Sequence, residues 1–204
     1  MIFSCIGRNY LLSRNLRNRR YSVIIKSNTP NDIKDKWRTP APVFGFMHRE
    51  FNFGLDVCAD DDNALLDNYL TEEDNALDPK HNWHELAGGR PVWCNPPYSR
   101  KNLKAFINEA KYQASVNGAT IVMLIPNSVD ATYFPHDAAS EVRLVINGRI
   151  NFNRADGAES SQNLQGSCFC ILSPERGAKP DYTTIDASFF DRGDSTQFVR
   201  FKTK

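Results

Sequence analysis

The tetrapeptide Asn95-Pro96-Pro97-Tyr98 sets a carboxamide, two prolines and a phenol in consecutive positions. Together they suit one difficult reaction, making a conjugated nitrogen act as a nucleophile. An amine attached to an aromatic ring or a carbonyl has its lone pair delocalised. Two acceptors that hold its hydrogens turn that lone pair out of the plane, toward an electrophile. Asn95 offers its side-chain oxygen, and a following proline keeps the backbone extended and rigid, with its carbonyl directed outward. Pro96 and Pro97 have no N–H, so the corner presents acceptors rather than donors. Tyr98 adds a flat face on which a planar group can stack. Average residue usage places this tetrapeptide in roughly one in a thousand chains of this length. The plain alternative is a proline-rich strand-to-helix turn with a packing tyrosine.

Such a corner needs a strand before it and a helix after it, and the flanking sequence supplies both. Pro91 to Cys94 reads as a short strand, and Ser99 as the N-cap of a helix running through Asn117. Leu103, Phe106, Ile107, Ala110 and Ala114 form one stripe of that helix, and Gly118 stands where a C-cap glycine belongs. Thr120 to Pro126 is a continuous β-branched run, the pattern of a strand buried on both faces of a sheet. Asn52 to Cys58 predicts an earlier strand, with Asp60 to Asn63 capping a short helix over Ala64 to Leu66. Residues 71–90 are polar and irregular. Glu141 to Ile146 and Ser167 to Leu172 predict two later strands. Strand and helix signals that alternate in this way indicate an open α/β sheet, whose ligands lie beyond the carboxyl ends of the strands.

These stretches resemble the phage-type DNA adenine-N-6 methyltransferases, the Dam-like family. The resemblance is carried by Trp37-Arg38-Thr39-Pro40, Leu55-Asp56-Val57-Cys58-Ala59, Thr71 to Leu77 ahead of Trp83, Asn95 to Tyr98, Leu124-Ile125-Pro126 and Asn147 to Phe152. It covers residues from about Asp35 to Pro174. It implies a Rossmann-like class I fold, an open, mostly parallel sheet with an antiparallel C-terminal strand. The cofactor it implies is S-adenosylmethionine, held by Trp37, Thr39, Pro40, Asp56, Ala59 and Asn75. The sulfonium and ammonium of that cofactor favour a nearby acid such as Asp56, and the small Ala59 lets the backbone approach. Helix capping is the alternative role for Asp56 and Asp60. Asn95, Pro96, Pro97 and Tyr98 are then the catalytic residues, and double-stranded DNA is the partner, met by Arg100, Lys101, Lys104, Arg149 and Arg154. The wider superfamily has a glycine-rich loop after its first strand. This chain has Val57-Cys58-Ala59-Asp60-Asp61 instead, a lack the phage-type group shares.

The 204 residues fit one domain of ordinary size, 41% apolar by side chain and with a net charge of +1. Residues 1–34 are expected as a basic extension, residues 35–175 as the methyltransferase domain and residues 176–204 as a C-terminal extension. Residues 1–30 hold six basic side chains and no acid, which leaves the remainder about five charges negative. That leader reads as a phosphate-binding arm, an organellar presequence or an extension without function. The longest apolar run, Ile121 to Pro126, is far too short to cross a bilayer. Five cysteines without a CxxC pair speak against a disulfide scaffold or a zinc ribbon. His48, His81, His84 and His136 show no ligand spacing, so no metal is expected. A soluble monomer in the bacterial cytoplasm, encoded by a phage or prophage and protecting its DNA from restriction, is the expectation. The Pro-Cys nucleophile of cytosine-C5 enzymes is absent. Two other classes stay open: an N-methyltransferase acting on RNA or protein glutamine, and a non-catalytic nucleic-acid-binding relic.

Overall fold

The β-branched run folds into β5 (Ile121–Pro126), a strand with all six residues buried. In the computed structural model, which describes residues 12–13, 22–23, 35, 37–153, 165–175 and 179–190, it occupies an inner position of a six-stranded sheet. The sheet order is β3 (Leu55–Asp56), β4 (Val92–Cys94), β5, β7 (Ser167–Leu172), β6 (Ala139–Ile146) and β8 (Asp181–Asp186). Strands β3, β4 and β5 are mutually parallel, β7 runs antiparallel to both β5 and β6, and β8 runs parallel to β6. The antiparallel strand is therefore the inner β7, and the last described strand is a parallel one. Two further two-residue strands, β1 (Leu12–Ser13) and β2 (Ser22–Val23), pair with each other. Residues 191–204 of the expected C-terminal extension lie outside the described residues.

Period-two alternation along β5 divides the core into two layers. Ile121, Met123 and Ile125 pack with Leu103, Ile107, Ala110 and Ala114 of α3 (Arg100–Ser115) and with Trp83 of the short helix α2 (Trp83–Leu86). Val122 and Leu124 face Val43, Phe44 and Met47 of α1 (Ala41–Phe51), with Phe53, Trp93 and Phe169 between them. Helices on both faces explain why β5 and β7 read as unbroken apolar runs. Helix α3 matches its expected span, and Gly118 beyond it has φ 72°. Helix α1 has no counterpart among the elements expected from the sequence. Pro40 is its extended N-cap, and Asn52 ends it in the left-handed region at φ 51°.

The helix expected over Ala64 to Leu66 does not form. Asp60 instead closes a turn, accepting from the Asp62 N–H and from Asn63 Nδ2, while the Asn63 side chain accepts from the Asp60 N–H. Ala64, Leu65 and Leu66 run directly into the core. Asp and Asn side chains that satisfy their own backbone compete with helix formation, and here the turn wins.

A Cβ at Gly54 would lie 2.2 Å from the Ala87 carbonyl oxygen, so β3 sits against the end of α2 only because residue 54 has none. Gly54→Ala should lower stability by about 1–3 kcal/mol, the usual cost of overpacking against backbone. Chemical denaturation checks this.

Candidate active site at the carboxyl ends of the strands

Asp56 ends β3, Asn95 follows β4, Asn127 follows β5 and Asn147 follows β6, so polar residues of four strands that run the same way lie along one edge of the sheet. At its centre, Asn95 is half-buried and Pro96 buried. Asn95 Nδ2 approaches the Trp37 carbonyl at 3.5 Å. Its Oδ1 is buried and has no hydrogen-bond partner among the described residues. A buried acceptor without a donor costs about 1–3 kcal/mol, so it stands out as a group made for a ligand's N–H.

Tyr98 is held more firmly than a free stacking platform. Its hydroxyl donates to the Leu124 carbonyl at 3.1 Å, and burial pushes its phenol well above the usual range. Its ring meets Phe152 edge-on at 5.8 Å and Trp37 edge-on at 6.3 Å, while Trp37 and Phe152 stack on each other at 5.8 Å. The expected stacking residue is thus one wall of a three-ring cluster. Phe152 belongs to a stretch that the sequence reading quotes, without a role of its own.

The segment that carries Trp37 is tied down from three sides. Asp35 accepts from the Ser99 N–H at 2.6 Å and from Asn102 Nδ2 at 3.2 Å, an anchor from 64 residues away on the N-cap of α3, whose own hydroxyl makes no cap bond. The Arg38 guanidinium lies 3.5 Å from Asp60 and 3.9 Å from Asp62. The Arg38 backbone exchanges hydrogen bonds with Asn153 at 2.9 and 3.0 Å. Thr39 and Pro40 follow, half-buried, where α1 begins.

Asp56 is 4% exposed, and its Oδ1 accepts from the Cys58 N–H at 3.1 Å. It caps a loop rather than a helix. Burial raises its carboxyl to about 7, with the Cys58 hydrogen bond pulling the other way. Ala59, also buried, donates its N–H to the Leu70 carbonyl, and the Leu70 N–H bonds the Asp56 carbonyl. Asn75 stands apart in an exposed turn with φ 53°, a conformation that asparagine tolerates. Arg100, Lys101 and Lys104 are exposed on the first turns of α3, beside the corner. Arg149 is exposed on its other flank, and Arg154 lies outside the described residues. Among the described residues, no three His, Cys, Asp or Glu side chains converge as metal ligands.

Residues 26–196 match the family model described as DNA N-6-adenine-methyltransferase (Dam). The chain belongs to this family. The match extends beyond residues 35–174, on which the resemblance was read. A DNA N-6-adenine-methyltransferase of Haemophilus phage HP1 is 33% identical over 172 residues, covering 82% of this chain and 92% of that protein. One from Escherichia phage T1 is 30% identical over 169 residues, 82% of this chain and 65% of that protein. A putative methyltransferase of Escherichia coli K12, YfdM, is 42% identical over 72 residues, 33% of this chain and 75% of that protein. No solved structure matches.

Within this methyltransferase the contact from Asp35 and the burial of Asp56 are open to direct test. Asp35→Ala should cost about 1 kcal/mol, as loss of a hydrogen-bonded anchor does, with Asp35→Asn recovering part of it through the retained acceptor. Denaturant unfolding of both variants decides the point. Asp56 is neutral in the folded and unfolded chains below its ordinary value of 3.8. Above that value the unfolded carboxyl ionises while the buried one resists. Stability is therefore lost as pH rises toward the folded value of about 7, and levels off beyond it. The melting temperature of Asp56→Asn should gain on that of the parent between pH 4 and 7 and run parallel above.

Proposed function

We propose that the protein transfers a methyl group from S-adenosylmethionine to the exocyclic N-6 amine of adenine in double-stranded DNA. The observation that carries this reading is the buried, unpartnered Oδ1 of Asn95, set beside Pro96 at the carboxyl end of β4. An aromatic amine has two hydrogens. One bonds Asn95 Oδ1 and the other the Pro96 carbonyl, and the lone pair then turns out of the ring plane. Pro96 and Pro97 have no N–H to compete for those acceptors. The adenine leaves the base stack, at a cost of a few kcal/mol, and its ring is received by the cluster of Trp37, Tyr98 and Phe152. Family membership and the phage relatives support adenine in DNA over RNA or glutamine as the acceptor.

The cofactor supplies an electrophilic methyl group on a sulfonium. Asp56 suits its cationic end: a carboxyl raised by desolvation ionises when a cation replaces the lost solvation. Trp37, Thr39, Pro40, Ala59 and Asn75 complete the proposed binding set. Three parallel strands with helices on both faces and the inner antiparallel β7 support the class I Rossmann-like reading. Arg100, Lys101 and Lys104 draw the phosphate backbone toward the corner, with affinity that falls as salt rises. The biological purpose consistent with phage relatives is protection of phage DNA from restriction in the host cytoplasm. Among the described residues, no helix is long and apolar enough to cross a membrane.

The test is transfer of labelled methyl from S-adenosylmethionine to unmodified duplex DNA, with mapping of the modified base. The parent should produce N-6-methyladenine. Asn95→Ala should lose at least about a hundredfold in rate, the scale of removing one well-placed polar partner, while retaining its circular dichroism. Transfer at near-parental rate by Asn95→Ala would overturn the mechanism. Labelling of RNA or protein in place of DNA would overturn the substrate.

A further inference from the structure

The carboxyl edge of the sheet continues past the catalytic corner into an open groove of about 580 Å³ between the ends of β5 and β6, lined by Asn127, Ile146, Asn147, Arg149 and Gly166 among others. We propose that this groove reads the base edge of a guanine a few base pairs from the target adenine, with Arg149 as the reading side chain and Asn127 beside it. The proposal rests on the function proposed above and adds to it the source of sequence preference.

Position comes first. From β4, which carries Asn95, to β6 there are three steps across the sheet through β5 and β7. At about 4.8 Å per strand this is roughly 14 Å, or about four base steps at 3.4 Å each. A duplex that runs along this edge with its adenine extruded into the corner lays its flanking base pairs over the groove.

The second point is that the backbone makes room for Arg149. Gly166 is not in the left-handed region, so its backbone does not demand glycine. A Cβ there would lie 2.9 Å from Arg149 Nη1 and 3.5 Å from Asn127 Cβ. The Asn127 N–H in turn bonds the Gly166 carbonyl at 2.8 Å, which fixes the floor on which both side chains rest. Arg149 is exposed and makes no ion pair with a described residue.

The groove's chemistry separates a base from a phosphate. Phosphate sites gather several cations or backbone N–H donors. Among the described residues of the groove a single guanidinium stands with two carboxamides, and Asn147 Nδ2 donates to Asp186 Oδ2 at 2.7 Å. A doubly bonded anion would meet that carboxylate, whereas a neutral base edge would not. Guanidinium matches guanine O6 and N7 through two parallel donors, and carboxamides match base edges that both donate and accept. Ile146, 38% exposed, adds an apolar wall for a neighbouring ring or methyl group.

The experiment is methylation of a duplex library in which four base pairs on each side of the adenine are randomised, read by sequencing for N-6-methyladenine. The parent should favour guanine at one flanking position. Arg149→Gln should relax that preference by between about fivefold and a hundredfold, the range that one bidentate arginine–guanine contact supplies. Gly166→Ala, whose new methyl group displaces only the flexible tip of Arg149, should relax the same position with Arg149 still present. Preference retained in both variants overturns the proposal. So does activity that falls equally on all sequences with a shallower salt dependence, the mark of a phosphate contact. A parent that methylates duplexes without any flanking preference overturns it as well and leaves the proposed activity standing. A parent that methylates no duplex overturns that activity and this inference with it.

Discussion

A carboxamide oxygen buried without a donor is unstable by itself, and much of this molecule serves to keep Asn95 in that condition. The strand ending at Cys94 brings the residue to the sheet edge, and the two prolines after it remove the N–H groups that could otherwise have satisfied the oxygen. The Trp37 carbonyl takes the amide nitrogen side, which leaves the oxygen side open to a ligand. A site that stores an unsatisfied acceptor binds best what can satisfy it, and a ring amino group does so at the moment its lone pair is needed.

Keeping that geometry requires the chain before the sheet to be fastened to the chain after it. Asp35 grips the start of α3, Arg38 reaches Asp60 and Asp62 beyond β3, and the Arg38 backbone bridges to Asn153. These contacts join regions separated by tens of residues and close the ring cluster of Trp37, Tyr98 and Phe152 over the corner. On the far side, Arg143 binds Glu50 and Glu141, fixing α1 to β6. The aromatic wall therefore rests on a helix that is itself clamped to the sheet.

Electrostatics divide the edge of the sheet. At the β3 end lie buried Asp56 and the turn of Asp60, Asp61 and Asp62, an acidic setting suited to a cationic ligand. Toward α3 and the β6 end lie Arg100, Lys101, Lys104 and Arg149, suited to a polyanion. An acidic ground and a basic one thus lie on either side of Asn95, although the chain as a whole carries only +1.

The β-branched run of β5, the apolar stripe of α3, the strand before the proline corner and the corner itself were legible in the sequence, because each is a pattern of neighbouring residues with one physical meaning. Family membership was legible for the same reason, through short motifs kept in order. Where a local signal had two outcomes, tertiary structure decided. The acids at 60–62 could cap a helix or close a turn, and burial of Leu65 and Leu66 in the core accompanies the turn. Ser99 is the N-cap of α3 as expected, but its side chain makes no cap hydrogen bond, and its N–H is held by Asp35 from 64 residues away. The anchoring of Tyr98 on Leu124, the paths of α1 and β8, the burial that raises Asp56 and the groove around Arg149 all depend on which distant segments meet. Sequence periodicity reports which face of an element is apolar. It does not report what that face will touch.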